Sequence, residues 1–177
     1  MRSTYKILNP NGVYFLTSTI VNWIPVFTSE KYFQILLNAF KFHQEKSDLI
    51  IYSFVILENH FHIMCSSEKL SKIFQSIKSF TARSLIDEFK DEDKDWLLYL
   101  LKFYKRTSKD ESDFQLWQEG IHPKEVITEE TMKQKIDYFH FNPVKRGYVL
   151  KEEDWKYSSA KFYKDGTDCG LKITRIV

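Results

Sequence analysis

Two groupings of side chains in this sequence could do chemistry together. His60 and His62 flank Phe61 in a stretch that reads as a β-strand, and alternate residues of a strand project to one face. Both imidazoles then point the same way, at a spacing suited to one shared divalent metal. Strands also carry this pattern where histidines only pack, so the pair by itself leaves both readings open. Glu58 and Asn59 place His60 at the mouth of a turn, with Phe61, Ile63 and Cys65 toward a core and His60, His62 and Met64 on the opposite face. The second grouping is Tyr138 and Asn142, at i and i+4 on one face of a helix. A carboxamide oxygen can complete the coordination of a metal held by two imidazoles, and a phenolate can attack phosphorus. A free phenol has a pKa of about 10, so such an attack needs a cation or a base nearby. Read locally, Tyr138 also fits an ordinary half-buried helix aromatic.

The elements that must position these residues follow from periodicity. Val13 to Val21 (VYFLTSTIV) is β-branched and aromatic and reads as a first strand, ended by Pro25. Ser29 caps a helix from Glu30 to about Glu45, with Phe33, Leu36, Leu37 and Phe40 at helical spacing. Leu49 to Leu57 (LIIYSFVIL) is a short, near-continuous apolar run and reads as a central strand. His60 to Ser66 returns as its hairpin partner. Leu70 to Phe89 is a helix with Ile73, Ile77, Phe80, Ala82, Leu85 and Phe89 roughly on one side. Trp96 to Tyr104 reads as a helix and Phe114 to Trp117 as a short strand. Thr128 followed by Glu129 and Glu130 opens a last long helix, with acids at the positive end of its dipole. That helix is expected to stop near Phe141, because the residue before Pro143 is biased away from helical geometry, a bias that is not absolute and leaves Asn142 room in the last turn. Trp155, Tyr157 and Tyr163 pack the tail onto the domain, and Leu171 to Val177 alternates as an edge strand would. The order is strand, helix, strand, strand, helix, short strand, helix. It predicts an α+β fold: a ferredoxin-like, βαββαβ-type antiparallel sheet with helices packed on it. The histidine pair then lies on a central strand and Tyr138 on a C-terminal helix.

Composition narrows the function classes. The 177 residues fit a single domain spanning 1–177, large enough to bury a core without disulfides. Cys65 and Cys169 are far apart, so neither a CxxC zinc pattern nor a disulfide framework is implied, and free thiols suit a reducing cytoplasm. No apolar run approaches the ~18 residues of a membrane span. The net charge of +2 does not announce a nucleic-acid binder. Basic residues nevertheless gather at Lys69, Lys72, Lys78 and Arg83, at Lys102, Lys105, Arg106 and Lys109, and at Lys145 and Arg146. Each group fits a solvated helix face as well as a phosphate contact. The deaminase pattern with its paired cysteines, the HExxH helix, the GxxxxGK[ST] phosphate loop and the GxSxG elbow are all absent. A histidine-triad hydrolase would need a third histidine where Met64 stands.

Taken together, several runs resemble one family. Leu57 to Met64 (LENHFHIM) looks like the His-hydrophobe-His motif of the HUH single-strand DNA transposases that use one tyrosine. Ile136 to Val149 (IDYFHFNPVKRGYV) resembles the catalytic helix and following loop of the REP-associated tyrosine transposases. FQLWQEG (Phe114 to Gly120) and DWKYSSAKFY (Asp154 to Tyr163) also look like stretches of that subgroup, and all four occur in the family's order. The resemblance implies that His60, His62 and Asn142 bind a divalent metal, Mg or Mn, and that Tyr138 is the nucleophile. It implies cleavage of single-stranded DNA beside small hairpins through a 5′-phosphotyrosine, with no nucleotide cofactor and no membrane. Lys78, Arg83, Lys145 and Arg146 are the expected phosphate contacts. A cytoplasmic, nucleoid-associated protein follows, and homodimer and monomer are both open. One departure is visible: Glu58 stands where the family usually has proline. Three rival readings are a non-catalytic hairpin-binding descendant of a transposase, a replication-initiator or relaxase nuclease, and an unrelated metal-binding fold.

Overall fold

The computed structural model describes residue 7 and residues 9–106 and 112–176. Its chain order is β1 (Val13–Thr19), α1 (Glu30–Lys46), β2 (Ile50–Ile56), β3 (His60–Ser66), α2 (Leu70–Asp91), α3 (Asp95–Phe103), β4 (Lys124–Val126), α4 (Glu129–Lys145) and α5 (Ala160–Asp165). The sheet runs β2-β3-β1-β4 with every neighbouring pair antiparallel, the order of a ferredoxin-like α+β fold. No helix among the described residues is long and apolar enough to cross a membrane.

Strand alternation divides the interior into two layers. Tyr14, Leu16, Phe61, Ile63 and Cys65 point to one face and join Phe33, Leu36 and Phe40 of α1 and Ile73, Phe74 and Ile77 of α2. Phe15 and Met64 point to the other face, where Ile136 and Phe139 of α4 cover them together with Val55, Leu57 and Val126. The histidine face of β3 is therefore roofed by α4, as period-2 projection requires. The tail locks this roof in place. The Trp155 indole donates to the Ile56 carbonyl (3.0 Å), the Tyr163 hydroxyl donates to the Tyr52 carbonyl (2.9 Å), and Tyr157 stacks on Phe33.

Four expectations need correction. Phe114 to Trp117 is not a strand: Trp117 makes one bridge to Ile20, and its indole is buried, donating to Thr81 Oγ1. The edge strand is the polar β4 instead, which pairs with Val13–Phe15. Of Leu171 to Val177, Val177 lies outside the described residues, and the described part makes a single parallel bridge, from Ile173 to Ile51. On α2 the buried stripe runs through Ile73, Ile77, Thr81, Leu85 and Phe89, which leaves Phe80 exposed. Finally, α4 does not stop near Phe141 but carries Asn142 and Pro143 in its last turn. Proline removes only its own N–H, and beyond it Arg146, Gly147 and Tyr148 donate back to the carbonyls of Asn142, Val144 and Pro143. At the other end the Thr128 hydroxyl caps the helix by accepting from Thr131 N (3.2 Å).

Candidate active site

His60 and His62 stand at the start of β3, on its α4-facing side. Both are buried, at 3% and 7% exposure. His62 stacks on Phe15 (5.6 Å between ring centroids) and on Phe139 (5.4 Å, 7° between planes). The two imidazoles lie 4.8 Å apart, centroid to centroid, at 77°. Two side chains, one of them braced by a backbone carbonyl, orient them. The Asn59 amide donates through Nδ2 to the Trp23 carbonyl (3.0 Å), so its Oδ1 is the atom left to meet His60 Nδ1 at 2.7 Å. His60 must then carry its proton on Nδ1, with the lone pair on Nε2. Thr17 sits directly opposite His62 in the β1–β3 register, and its hydroxyl lies 2.7 Å from His62 Nδ1. Neither Nε2 has a hydrogen-bond partner among the described residues.

The electrostatics keep both rings neutral. Burial pushes His60 down to about 4, helped by the Arg146 charge and opposed by Glu58. Burial pushes His62 down to about 3, with His60, Arg146 and Lys135 adding to it. Desolvation penalises the charged imidazolium in each case. A neutral imidazole with Nδ1 engaged and Nε2 free is the form that ligates metals, and such outer hydrogen bonds are what normally fix it.

Tyr138, Asn142 and Arg146 recur every fourth residue along one stripe of α4. The Tyr138 ring lies 5.7 Å from His62, and the residue is 47% exposed. Lys135, one turn earlier, holds its Nζ 5.9 Å from the Tyr138 ring and 5.1 Å from that of Phe15. At the far end Arg146 Nη1 reaches Glu58 Oε1 at 2.5 Å, a pair only partly exposed. Asn142 lies between these two contacts along the stripe. It is buried, and its Nδ2 has no partner. Among the described residues no trio of His, Cys, Asp and Glu could hold a metal. Two neutral imidazoles and an unpartnered buried carboxamide nonetheless form a nitrogen–oxygen donor set that fits a divalent cation.

The four basic residues divide. Lys145 and Arg146 end α4, on the histidine side of the sheet, while Lys78 and Arg83 belong to α2 in the other helix layer. Lys78 donates to the carbonyls of Gln118 and Gly120 (2.6 and 2.7 Å). Lys109 lies outside the described residues. Glu58, the departure noted in the motif, is taken up by Arg146. It also raises the Tyr148 phenol, second to burial. Sequence reasoning passed over Thr17, Trp23 and Lys135, and it treated Asn59 only as a turn residue. Lys135 was findable at i−3 from Tyr138, whereas Thr17 depends on strand register and Trp23 on a backbone turn.

Known proteins carry the same framework. A REP-associated tyrosine transposase solved bound to a REP hairpin superposes over 100% of this chain and 94% of its own, with a TM-score of 0.69 at 17% identity, a likeness of fold. A Haemophilus influenzae protein assigned as a REP-associated tyrosine transposase is 36% identical over 50 residues, 28% of this chain and 27% of that protein. The chain thus matches only about a quarter of the length of that curated relative. The model of the family described as "Transposase IS200 like" matches residues 17–122, which take in β3 and both histidines and stop short of α4. With more than half of its residues fitting that one model, the chain belongs to the IS200-like transposase family.

Proposed function

We propose that the protein is a metal-dependent single-stranded DNA endonuclease and strand transferase of transposase type. It would act next to DNA hairpins as one catalytic domain in the cytoplasm, on the nucleoid. The observation that carries this reading is the Tyr138 phenol lying against His62 within the same chain, with Asn142 and Lys135 beside it on α4. A fold shared with a transposase solved on a REP hairpin supports the substrate class.

In this reading His60 Nε2, His62 Nε2 and the Asn142 carboxamide would hold Mg or Mn, which would supply Lewis-acid polarisation of a non-bridging phosphate oxygen. Asn59 holds His60 in the ligating tautomer, and the Thr17 hydroxyl would accept from His62 Nδ1–H when Nε2 ligates. The Tyr138 oxygen attacks phosphorus, the bond from phosphorus to the 3′ oxygen breaks, and the departing hydroxyl ends with the phenolic proton. The products are a 5′-phosphotyrosine and a free 3′-hydroxyl. Lys135 places its positive charge beside the Tyr138 ring, where the incoming phosphate would lie. Attack by another 3′-hydroxyl, or by water, then returns the phenol. Lys145 and Arg146 are the phosphate contacts nearest this chemistry, and Lys78 and Arg83 would meet only strand that wraps past the sheet edge.

The test is cleavage of end-labelled single strands carrying a hairpin, with Mn or Mg and after chelation. Metal-dependent cleavage of single-stranded but not duplex substrate is the expected result. Tight hairpin binding with no cleavage under any metal condition would make the protein a DNA-binding descendant instead.

A further inference from the structure

The turn between β1 and α1 holds a tryptophan in an unfavourable backbone conformation beside the histidines. Asn22 (φ 49°) and Trp23 (φ 57°) are both left-handed. Neither is glycine, and for a bulky residue this region is a genuine outlier. The surroundings enforce it. Trp23 N donates to the Ile20 carbonyl (3.0 Å) and Ile24 N to the Val21 carbonyl (3.2 Å), while Val21 N and Ile20 N donate to the carbonyls of Leu116 and Asn59 (both 2.8 Å). The Trp23 carbonyl in turn accepts from Asn59, the residue that orients His60. Strain held by so many bonds persists where it places something.

What it places is an indole, 53% exposed and edge-on to His60 at 5.4 Å. Trp117 and Trp155, by contrast, are packed into the domain with their N–H groups satisfied. Trp96 is as exposed, at 51%, but lies on α3, which packs on α2; what sets Trp23 apart is its left-handed backbone and its contact with His60. Tyr138, about half exposed on α4, borders the same site through His62, and Lys135 and Arg146 supply positive charge. Unpaired nucleotides are held by this combination of aromatic faces and cations.

We propose that Trp23 is a base-stacking residue, receiving the nucleobase that adjoins the scissile phosphate of a single strand. The inference rests on the nuclease reading above and adds to it the residue that grips the substrate base. Stacking fixes the strand without reading sequence, because every base has a π face. It needs the base unpaired, so Trp23 favours single-stranded over duplex DNA at the cleavage point.

The cleavage position is first mapped from the adduct formed by the unaltered protein. Affinity is then measured in a Tyr138→Phe background, so that the strand stays intact. The probes are the single-stranded hairpin oligonucleotide and copies with one abasic residue at each position around the cleaved bond. Trp23→Ala should weaken binding of the intact strand roughly 5- to 150-fold. On the copy lacking the adjoining base it should change affinity less than about twofold, and Trp23→Phe should retain most of the intact-strand affinity. Mn2+ affinity should be the same with and without the indole. Equal losses on every abasic copy, or no loss at all, overturn the stacking while leaving the nuclease reading intact. A parallel loss of Mn2+ affinity overturns it too, making Trp23 a support for His60. Absence of any adduct from the unaltered protein sinks the nuclease reading, and the stacking with it.

Discussion

Replacing Thr17 with valine removes a hydroxyl and almost nothing else, and it should weaken metal binding without opening the fold. Thr17 Oγ1 lies 2.7 Å from His62 Nδ1, opposite it across the β1–β3 ladder. Burial pushes His62 down to about 3, so at neutral pH the ring is neutral and the question is only which nitrogen holds its proton. The hydroxyl can donate to a bare Nδ1 or accept from Nδ1–H, so it serves either tautomer of the free ring; once Nε2 ligates a metal, Nδ1 must carry the proton and the hydroxyl accepts from it. With valine that Nδ1–H is left buried and unpaired in the metal-bound state. Loss of such an outer hydrogen bond typically costs about 10- to 100-fold in metal affinity, or about 1.4–2.7 kcal/mol. The fold itself loses one hydrogen bond, about 1 kcal/mol, which for a chain of this size lowers Tm by about 2–4 °C. Calorimetric titration with Mn2+ at neutral pH, alongside a thermal melt, separates the two effects. Thr17→Ser should recover most of the affinity. Unchanged Mn2+ affinity in Thr17→Val, with the melt lowered as expected, would refute the claim that Thr17 prepares His62 as a ligand.

Three further outcomes follow from the packing. His62→Ala should lose metal binding and also destabilise the chain by about 2 kcal/mol, a Tm drop of about 4–8 °C, because it empties the gap between Phe15 and Phe139; a melt equal to the unaltered protein contradicts this. Arg146→Ala should cost about 1–2 kcal/mol by leaving the Glu58 carboxylate partly buried without its cation, and adding Glu58→Gln should restore most of it, as a double-mutant cycle would show. Acid should destabilise the metal-free protein. His60 and His140 are held at about 4 and His62 at about 3, below the ordinary 6.5, so beneath pH 6.5 the unfolded chain binds more protons than the folded one. The stability from these rings is complete above about 6.5 and is lost as pH falls through 4 toward 3, and a Tm flat across that window would contradict their neutral burial.

Much of the site was legible because it obeys simple periods. The apolar run ahead of Glu58 and the two-residue repeat of His60 and His62 set the hairpin and its facing. The spacing of Tyr138 and Asn142 set the helix face. What was hidden depends on partners distant in sequence. Thr17 matters because of register with β3, and no local pattern carries register. Lys124–Val126 is too short and too polar to read as a strand, yet it pairs, while apolar Phe114 to Trp117 turns inward to the core. The left-handed turn at Asn22 and Trp23 lacks the glycine that would have advertised it. The burial of the histidines was hidden as well. A pair placed at the mouth of a turn is closed over by α4, and His62 becomes part of an aromatic stack. The bias before Pro143 was real but weaker than the bonds that carry the last turn of α4 past it.

The central claim is that Tyr138 becomes joined to DNA, and mass mapping of the joined peptide tests it most directly. The protein is incubated with Mn2+ and a single-stranded hairpin oligonucleotide labelled on the 3′ side of the cleavage point. Denaturing gels then isolate any protein that carries label. Digestion should return one nucleotide-bearing peptide, modified at Tyr138 in the segment Ile136 to Asn142, and Tyr138→Phe should bind the strand yet carry no label. An undiminished adduct in Tyr138→Phe, or a modified Tyr148 or Tyr157 in its place, would contradict the account.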